Sequence, residues 1–217
     1  MRIKKPTISR INLNFNGVKC LSPMNDSDFE KLLTLFANVQ FTKIELDEFR
    51  RPWTIRKFRQ SEFISEAGHI EQYFYFVLEG VQAIYIIDQK GEKVVLGFSY
   101  EGSPSGVFDS FIQKRPSQSF LEALKPSKML AINLPDYLKL FESIPSLHKW
   151  GHTFFMNVLF GRLEREIELT TLSAEERYIA FMQRCPEELK VIPQKYLASY
   201  LNMTPETFSR LRSRVTY

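Results

Sequence analysis

Four side chains near the end of the sequence have the types and spacing to read the edges of DNA bases: Pro205, Glu206, Ser209 and Arg210. An arginine can bond guanine O6 and N7 together, and a carboxylate can accept from cytosine N4. Glu206 and Arg210 are four residues apart, so on a helix they stand one turn from each other on one face. Around them lie Gln194, Lys195, Thr204, Thr207, Arg212 and Arg214, whose cations, hydroxyls and amide suit phosphate oxygens. From Lys190 onward there are five cations and one carboxylate, a net charge of +4, which equals the formal charge of the whole chain. The preceding residues therefore balance. A basic terminal module on a neutral body is what phosphate binding requires. Charge alone leaves a solvated basic tail as the alternative.

The elements that would position these residues can be read from their neighbours. Ile192 to Arg214 reads as a helix-turn-helix. Leu197, Ala198 and Leu201 form the inner face of a first helix, with Ala198 small where two helices cross closely. Asn202 stands at the turn, where positive φ must be tolerated. Met203 plugs the space between the helices. Thr204 suits an N-cap and Pro205 the first helical position. Phe208 and Leu211 bury the inner face of the second helix, which leaves the base-reading set outward. An ordinary two-helix hairpin packed on the body is the competing reading.

The rest of the chain must pair and control this unit. Ser27 to Glu30 has capping-box spacing before Phe29, Leu32, Leu33, Leu35 and Phe36, which predicts a helix. A strand is expected near Ile8 to Phe15. From Phe41 to about Asn133, short apolar runs alternate with turn signals: Phe41–Leu46, Tyr73–Val77, Val81–Ile87, Val94–Tyr100, Phe120–Leu124 and Met129–Ile132. This texture predicts a β-sandwich or barrel. After Pro135 the pattern is helical. Asp136 to Ser143 reads as a short helix, Ser146 to about Thr170 as a long one, and Ser173 to Glu176 as a capping box for another. The long helix carries two apolar stripes: Leu147, Trp150, Phe154 and Val158, and Phe155, Leu159, Leu163 and Ile167. Two stripes require two apolar neighbours. One can be the β region, and a second copy of the chain is the simplest other. The Leu147 stripe is assigned to that homodimer contact.

Several function classes are disfavoured. A β-barrel oxygenase or isomerase needs a cluster of histidines with a carboxylate, but His69 is the one histidine in the β region, and no nucleophile–base pair has a recognisable context. No catalytic residue, metal ligand or required cofactor is assigned. Cys20 and Cys185 are far apart and read as free thiols. No apolar run reaches the length of a membrane span, and the N-terminal stretch does not resemble a signal peptide. The expectation is a cytoplasmic protein with no membrane partner. Phenylalanine is abundant, at 19 residues, which predicts aromatic walls in the core or in a pocket.

Tyr73–Gly80, Leu172–Tyr178 and Val191–Arg212 together resemble the Crp/Fnr family, the cyclic-AMP-receptor-like transcription regulators, and look most like the branch common in Bacteroidetes. The resemblance spans about residues 27–214. It implies an α+β chain in three parts. A double-stranded β-helix effector domain, a jelly roll like the cyclic-nucleotide-binding domain, would occupy 1–145. A dimerisation helix would follow at 146–172, and a helix-turn-helix at 173–217. It also implies double-stranded DNA, a second copy and RNA polymerase as partners, and it places Glu206 and Arg210 at the family's base-reading positions. The effector region departs from the family pattern. Val107 falls where the ribose-gripping glutamate stands, and Ser117 near the phosphate-gripping arginine; Arg115 lies just before Pro116 and is a poor substitute. An anion buried without its guanidinium is strongly disfavoured, so cyclic AMP is not expected and the effector is unidentified. Ser103, Ser105, Gly106, Val107, Arg115, Ser117 and Gln118 mark the expected pocket, with a pocket filled by Phe76, Phe98 and Phe108 as the alternative. Pro186 to Val191 is too short for the wing hairpin of winged members, so a minimal DNA-binding unit is expected. A ligand-sensing module of the same fold without DNA binding remains the rival.

Overall fold

The computed structural model describes residues 24–184, 187–190 and 192–214. The expected strand at Ile8–Phe15, together with Cys20, Cys185, Pro186 and Val191, lies outside them. Helix α1 (Asp26–Leu35) is capped by Asn25 rather than Ser27: the Asn25 side chain accepts from the Asp28 amide at 2.8 Å. Helix α2 (Lys43–Arg50) replaces the strand expected over Phe41–Leu46. There a capping box outweighs the apparent alternation. The Thr42 amide donates to Glu45 Oε2 at 2.7 Å, and the Glu45 amide donates to Thr42 Oγ1 at 3.3 Å. Phe41 and Leu46 become partly buried contacts of the same aromatic cluster as Phe49.

Eight antiparallel strands follow among the described residues: β1 (Thr54–Phe58), β2 (Phe63–Ser65), β3 (Tyr73–Glu79), β4 (Val81–Ile87), β5 (Lys93–Tyr100), β6 (Pro104–Ser105), β7 (Phe120–Ala123) and β8 (Ser127–Asn133). They form two four-stranded sheets, ordered β1-β8-β3-β6 and β2-β7-β4-β5, so the β region is a jelly roll of the expected class. The chain passes from one sheet to the other at Gly80, where φ is +101° and an added Cβ would lie 2.4 Å from Ser127 Oγ and 2.7 Å from Pro126 O. Only glycine fits that crossing. Strand β3 shows why period two matters. Phe74, Phe76 and Leu78 join the helices on one face of their sheet, while Tyr75 and Val77 turn between the sheets to meet Phe58, Ala123, Met129 and Ala131.

The helices complete two layers. Helix α3 (Phe108–Gln113) links β6 to β7, and α4 (Leu134–Ser143) continues directly from β8. Helix α5 (Ser146–Thr171) is 26 residues long. Its Leu147 stripe, assigned from sequence to a second copy, turns inward instead. Leu147 is 0% exposed, and Trp150 and Phe154 pack against the Phe36–Phe49–Phe74 cluster. Trp150 stacks on Phe36 at 4.2 Å and donates its indole N–H to Leu35 O at 2.8 Å. That indole bond fixes the helix's rotation, because an indole N–H buried without a partner is costly. The other stripe, Phe155 to Ile167, is consequently left exposed.

Helices α6 (Ala174–Arg184), α7 (Glu187–Lys190), α8 (Gln194–Tyr200) and α9 (Pro205–Arg214) close the chain. The capping box expected before α6 is present, with the Ser173 amide donating to Glu176 Oε2 at 2.8 Å. Tyr178, Phe181, Ile192, Leu197, Phe208 and Leu211 share one cluster with Val81, Ala83, Tyr85 and Val95 of the second sheet. The terminal helices thus pack on the β-roll as well as on each other.

Candidate nucleic-acid interface and effector pocket

Helices α8 and α9 meet through Leu197, Ala198, Leu201, Phe208 and Leu211, all buried. Ala198 has no exposed surface, as a close crossing requires. The turn uses Asn202 at φ +52°, and the Met203 amide donates to Ala198 O at 3.0 Å. Thr204 begins α9: its Oγ1 accepts from the Thr207 amide at 3.2 Å. Helix α6 is tied to this turn by Arg177, which donates to Leu201 O at 2.9 Å, Asn202 O at 3.3 Å and Leu172 O at 2.6 Å. Arg177 lies in the Leu172–Tyr178 stretch but is assigned no role there. Its signal is a guanidinium directly after the Ser173–Glu176 capping box, with orphan helix-end carbonyls to satisfy.

Phe208 and Leu211 face inward, and Pro205, Glu206, Ser209 and Arg210 are all exposed on α9. The structure therefore brings the four expected base-reading residues onto one open face. Lys195, Thr204, Arg212 and Arg214 are exposed around it, with Gln194 and Thr207 half-buried. Glu206 is held below the usual carboxylate range, first by a hydrogen bond from its own backbone N–H and then by Thr204. It is an anion that can only accept, which suits a base amino group. Among the described residues no carboxylate lies within ion-pair distance of Arg210, Arg212 or Arg214. Three cations without a carboxylate partner among the described residues line the C-terminal half of one short helix.

The residues expected around an effector do not come together. Ser103 is consumed by its own turn: its Oγ donates to Tyr100 O at 2.6 Å and accepts from the Tyr100 amide at 2.8 Å. Ser117 is buried in a loop closure, with its amide on His69 O at 2.8 Å and its Oγ on Ser119 O at 2.8 Å. Arg115 and Gln118 are exposed, and the Arg115 guanidinium pairs with Gln113. Val107 is 1% exposed. Ser105 and Gly106 alone of the expected set border a cavity of about 280 Å³. Its walls come from β4, β5, β6, β7, α3 and α5, and include Gly97, Ser99, Phe108, Asp109, Val158 and Arg162. Phe98 also lines it, whereas Phe76 is wholly buried in the helix-side core.

Behind the cavity runs a chain of buried hydroxyls and one amide. Ser105 Oγ lies 2.8 Å from Ser99 Oγ, Ser99 donates to Gln82 Oε1 at 2.9 Å, and Gln82 Nε2 donates to Ser127 Oγ at 2.8 Å. Gly106 has φ +133°, and a Cβ there would stand 3.3 Å from Tyr73 O. Arg162 is the cavity's one cation. It comes from the C-terminal half of α5, and its Nη1 donates to Leu96 O at 2.6 Å. Nothing in its local sequence marks it, because it meets a strand 66 residues away in sequence.

The model of the cyclic nucleotide-binding domain matches residues 55–143. The transcriptional regulatory protein btr of Bordetella pertussis is 27% identical over 138 residues, which cover 58% of this chain and 56% of btr. The chain thus matches little more than half the length of that relative. FixK2 of Bradyrhizobium japonicum has a similar structure, with a TM-score of 0.65, 19% identity and coverage of 75% of this chain and 83% of FixK2. The c-di-GMP-responsive global regulator CLP of Xanthomonas campestris gives 0.64 at 15% identity, covering 80% of this chain and 91% of CLP. The catabolite activator protein of Thermus thermophilus gives 0.53 at 21%, covering 83% and 85%. The described helices include none long and apolar enough to cross a membrane.

Proposed function

We propose that this chain is a transcription regulator of the Crp/Fnr type, as its matches to the cyclic nucleotide-binding domain and to btr support, and that it acts by binding a two-fold symmetric DNA site as a homodimer. The observation that carries this reading is the open face of α9. Pro205, Glu206, Ser209 and Arg210 are exposed together, opposite a buried Phe208 and Leu211, and Arg210 and the neighbouring Arg212 and Arg214 lack carboxylate partners among the described residues. In this assignment Arg210 and Glu206 read bases in the major groove, and Gln194, Lys195, Thr204, Thr207, Arg212 and Arg214 hold phosphates. Residues 173–217 form the DNA-binding unit, 146–172 the dimer helix and 1–145 the sensor.

The dimer contact is reassigned to Phe155, Leu159, Phe160, Leu163 and Ile167, the exposed stripe of α5. Side chains of this size left open along three turns of a helix favour a matching helix over water. A small-molecule effector would occupy the cavity between β5 and α5. The ligand would face Ser99, Ser105, Asp109 and Arg162, with Phe98 and Phe108 beside it. RNA polymerase is the further partner that a regulator of this type would meet, and the cytoplasm its place.

Selection of bound sequences from a random duplex pool tests the reading. Enrichment of a palindrome with half-sites about 34–36 Å apart is expected. A pool that stays random at low salt would sink it and favour a ligand-sensing module that does not use DNA.

A further inference from the structure

Two opposite charges line the cavity between β5 and α5 without neutralising each other. Asp109 comes from α3 and Arg162 from α5. No ion pair joins them, and neither is paired with another charged side chain among the described residues. Arg162 is fixed at the wall. Its Nη1 donates to Leu96 O at 2.6 Å. That carbonyl is left over by a bulge in β5, where Ile84 pairs with Gly97 and Tyr85 with Val95. Its Nη2 lies over Gly97, 3.6 Å from where a Cβ would stand. A guanidinium carries five N–H donors, so the bond to Leu96 leaves others for a ligand.

The floor is polar in one direction only. Lys125 O can only accept, so Ser127 gives its proton there, at 2.8 Å. Ser127 Oγ must then accept from Gln82 Nε2, at 2.8 Å, which turns Gln82 Oε1 toward Ser99. Ser99 gives that oxygen its one proton, at 2.9 Å. The 2.8 Å contact between Ser99 and Ser105 therefore uses the proton of Ser105. Ser105 is 3% exposed and lines the cavity, so its hydroxyl meets a ligand with lone pairs alone. A carboxylate or phosphate oxygen against Ser105 would set acceptor against acceptor, which is costly where water is excluded. The ligand must bring a donor to that point.

The other walls are apolar: Ile84, Phe98, Phe108, Leu121 and Val158. The two rings are held from behind. Phe108 stacks on Phe74 at 5.6 Å, and Phe98 tilts against Tyr200 at 5.3 Å. The volume, about 280 Å³, lies at the small end of ligand pockets, which run from about 300 to 1,000 Å³. A matching ligand is therefore small, with an apolar body, a cation for Asp109, an anion for Arg162 and a donor for Ser105. An ammonium has three donors and no acceptor, so one group can serve both Asp109 and Ser105.

We propose that this cavity takes a free α-amino acid with an apolar side chain, its ammonium on Ser105 and Asp109 and its carboxylate on Arg162. This rests on the reading of the cavity as an effector site. The zwitterion stands between Asp109 and Arg162 and completes the charge pairs that they do not make with each other. A plain carboxylic acid leaves Asp109 without a cation and brings no donor to Ser105. An amine without a carboxylate leaves Arg162 unmatched. Cyclic AMP brings an anion but no cation for Asp109.

Calorimetry on the full chain tests this with L-leucine and L-phenylalanine as probes. Phenylpropanoate lacks the ammonium and phenethylamine lacks the carboxylate; each should bind at least roughly ten-fold more weakly than L-phenylalanine, the loss of one charged hydrogen bond. These analogues leave the protein unaltered, so no folding defect can mimic the result. Asp109→Asn and Arg162→Gln should each weaken the amino acids by a similar factor. Amino acids that bind both variants as tightly as the unmodified chain sit elsewhere, which overturns the proposal. Tighter binding of phenylpropanoate, phenethylamine or cyclic AMP than of either amino acid, weakened by the same substitutions, overturns the zwitterion and leaves the effector cavity standing. Binding by none of the probes overturns the zwitterion and removes the support for the cavity as an effector site.

Discussion

Leu163→Asp should break the proposed dimer. Leu163 lies in the exposed stripe of α5 with Phe155, Leu159, Phe160 and Ile167, which are 40–60% exposed in the single chain, Leu163 itself at 46%. Fully burying such a side chain is worth about 1.5–3 kcal/mol, so covering its open half contributes about 1 kcal/mol. Two-fold symmetry applies every change twice. The substitution therefore removes about 2 kcal/mol of apolar burial. It also places two carboxylates in the seam, each costing about 1–3 kcal/mol or more when desolvated without a partner. A total of at least about 4 kcal/mol weakens association by roughly a thousand-fold. Sedimentation equilibrium over a concentration series measures this directly, with far-ultraviolet circular dichroism to show that the helices persist. Leu138→Asp, equally exposed at 46% but on α4, is the control and should leave association unchanged. If the Leu163 variant associates as tightly as the unmodified chain, the stripe does not form the dimer, and the reasoning from its exposure is wrong.

Other consequences are as specific. Arg210→Ala should cost about 1–3 kcal/mol in binding a selected site and relax preference at one position of each half-site; unchanged preference in a binding-site competition would remove Arg210 from base reading. Cyclic AMP should give no micromolar binding in calorimetry, since Val107 is buried and Arg115 points to Gln113 rather than to the cavity. A clear micromolar isotherm would contradict that assignment of the cavity wall. Burial raises the Glu71 carboxyl above its ordinary 4.5, against hydrogen bonds from Ser65, Tyr73, Gln72 and Val107. A raised acid favours the folded state below its unfolded value and loses that contribution as pH climbs through the folded one. The stability of the chain relative to Glu71→Gln should therefore decline as pH rises from about 4.5. Urea denaturation of both proteins across that range checks it, and a pH-independent difference would refute it.

The two terminal helices and the turn between them were legible because their signals are local. Asn202 at the turn, Thr204 at the cap and the Phe208–Leu211 spacing each act within a few residues. The strands were legible where apolar residues alternate, as in β3 and β4, but alternation misled at Phe41–Leu46, where Thr42 and Glu45 cap a helix instead. Helix α5 showed two stripes, yet no local feature says which turns inward. That depends on Trp150 reaching Leu35 O across 115 residues of sequence. The cavity proposed for an effector was missed for a similar reason. Serines near the expected site, Ser103 and Ser117, satisfy their own loops, while Arg162 enters from α5, 66 residues from the Leu96 carbonyl it reaches. The docking of α8 on β5 rests on Ser199 and Lys93, 106 residues apart, a pairing that no periodicity encodes.

The salt dependence of binding to a selected palindrome tests the central claim most directly. Lys195, Arg212 and Arg214 supply three exposed cations for phosphates on each copy, so a dimer engages about six. The slope of log K against log salt should then be roughly −5, and a scrambled duplex should bind far more weakly at the same salt. A slope near zero, or equal affinity for the scrambled duplex, would contradict a regulator that grips phosphates and reads bases through α9.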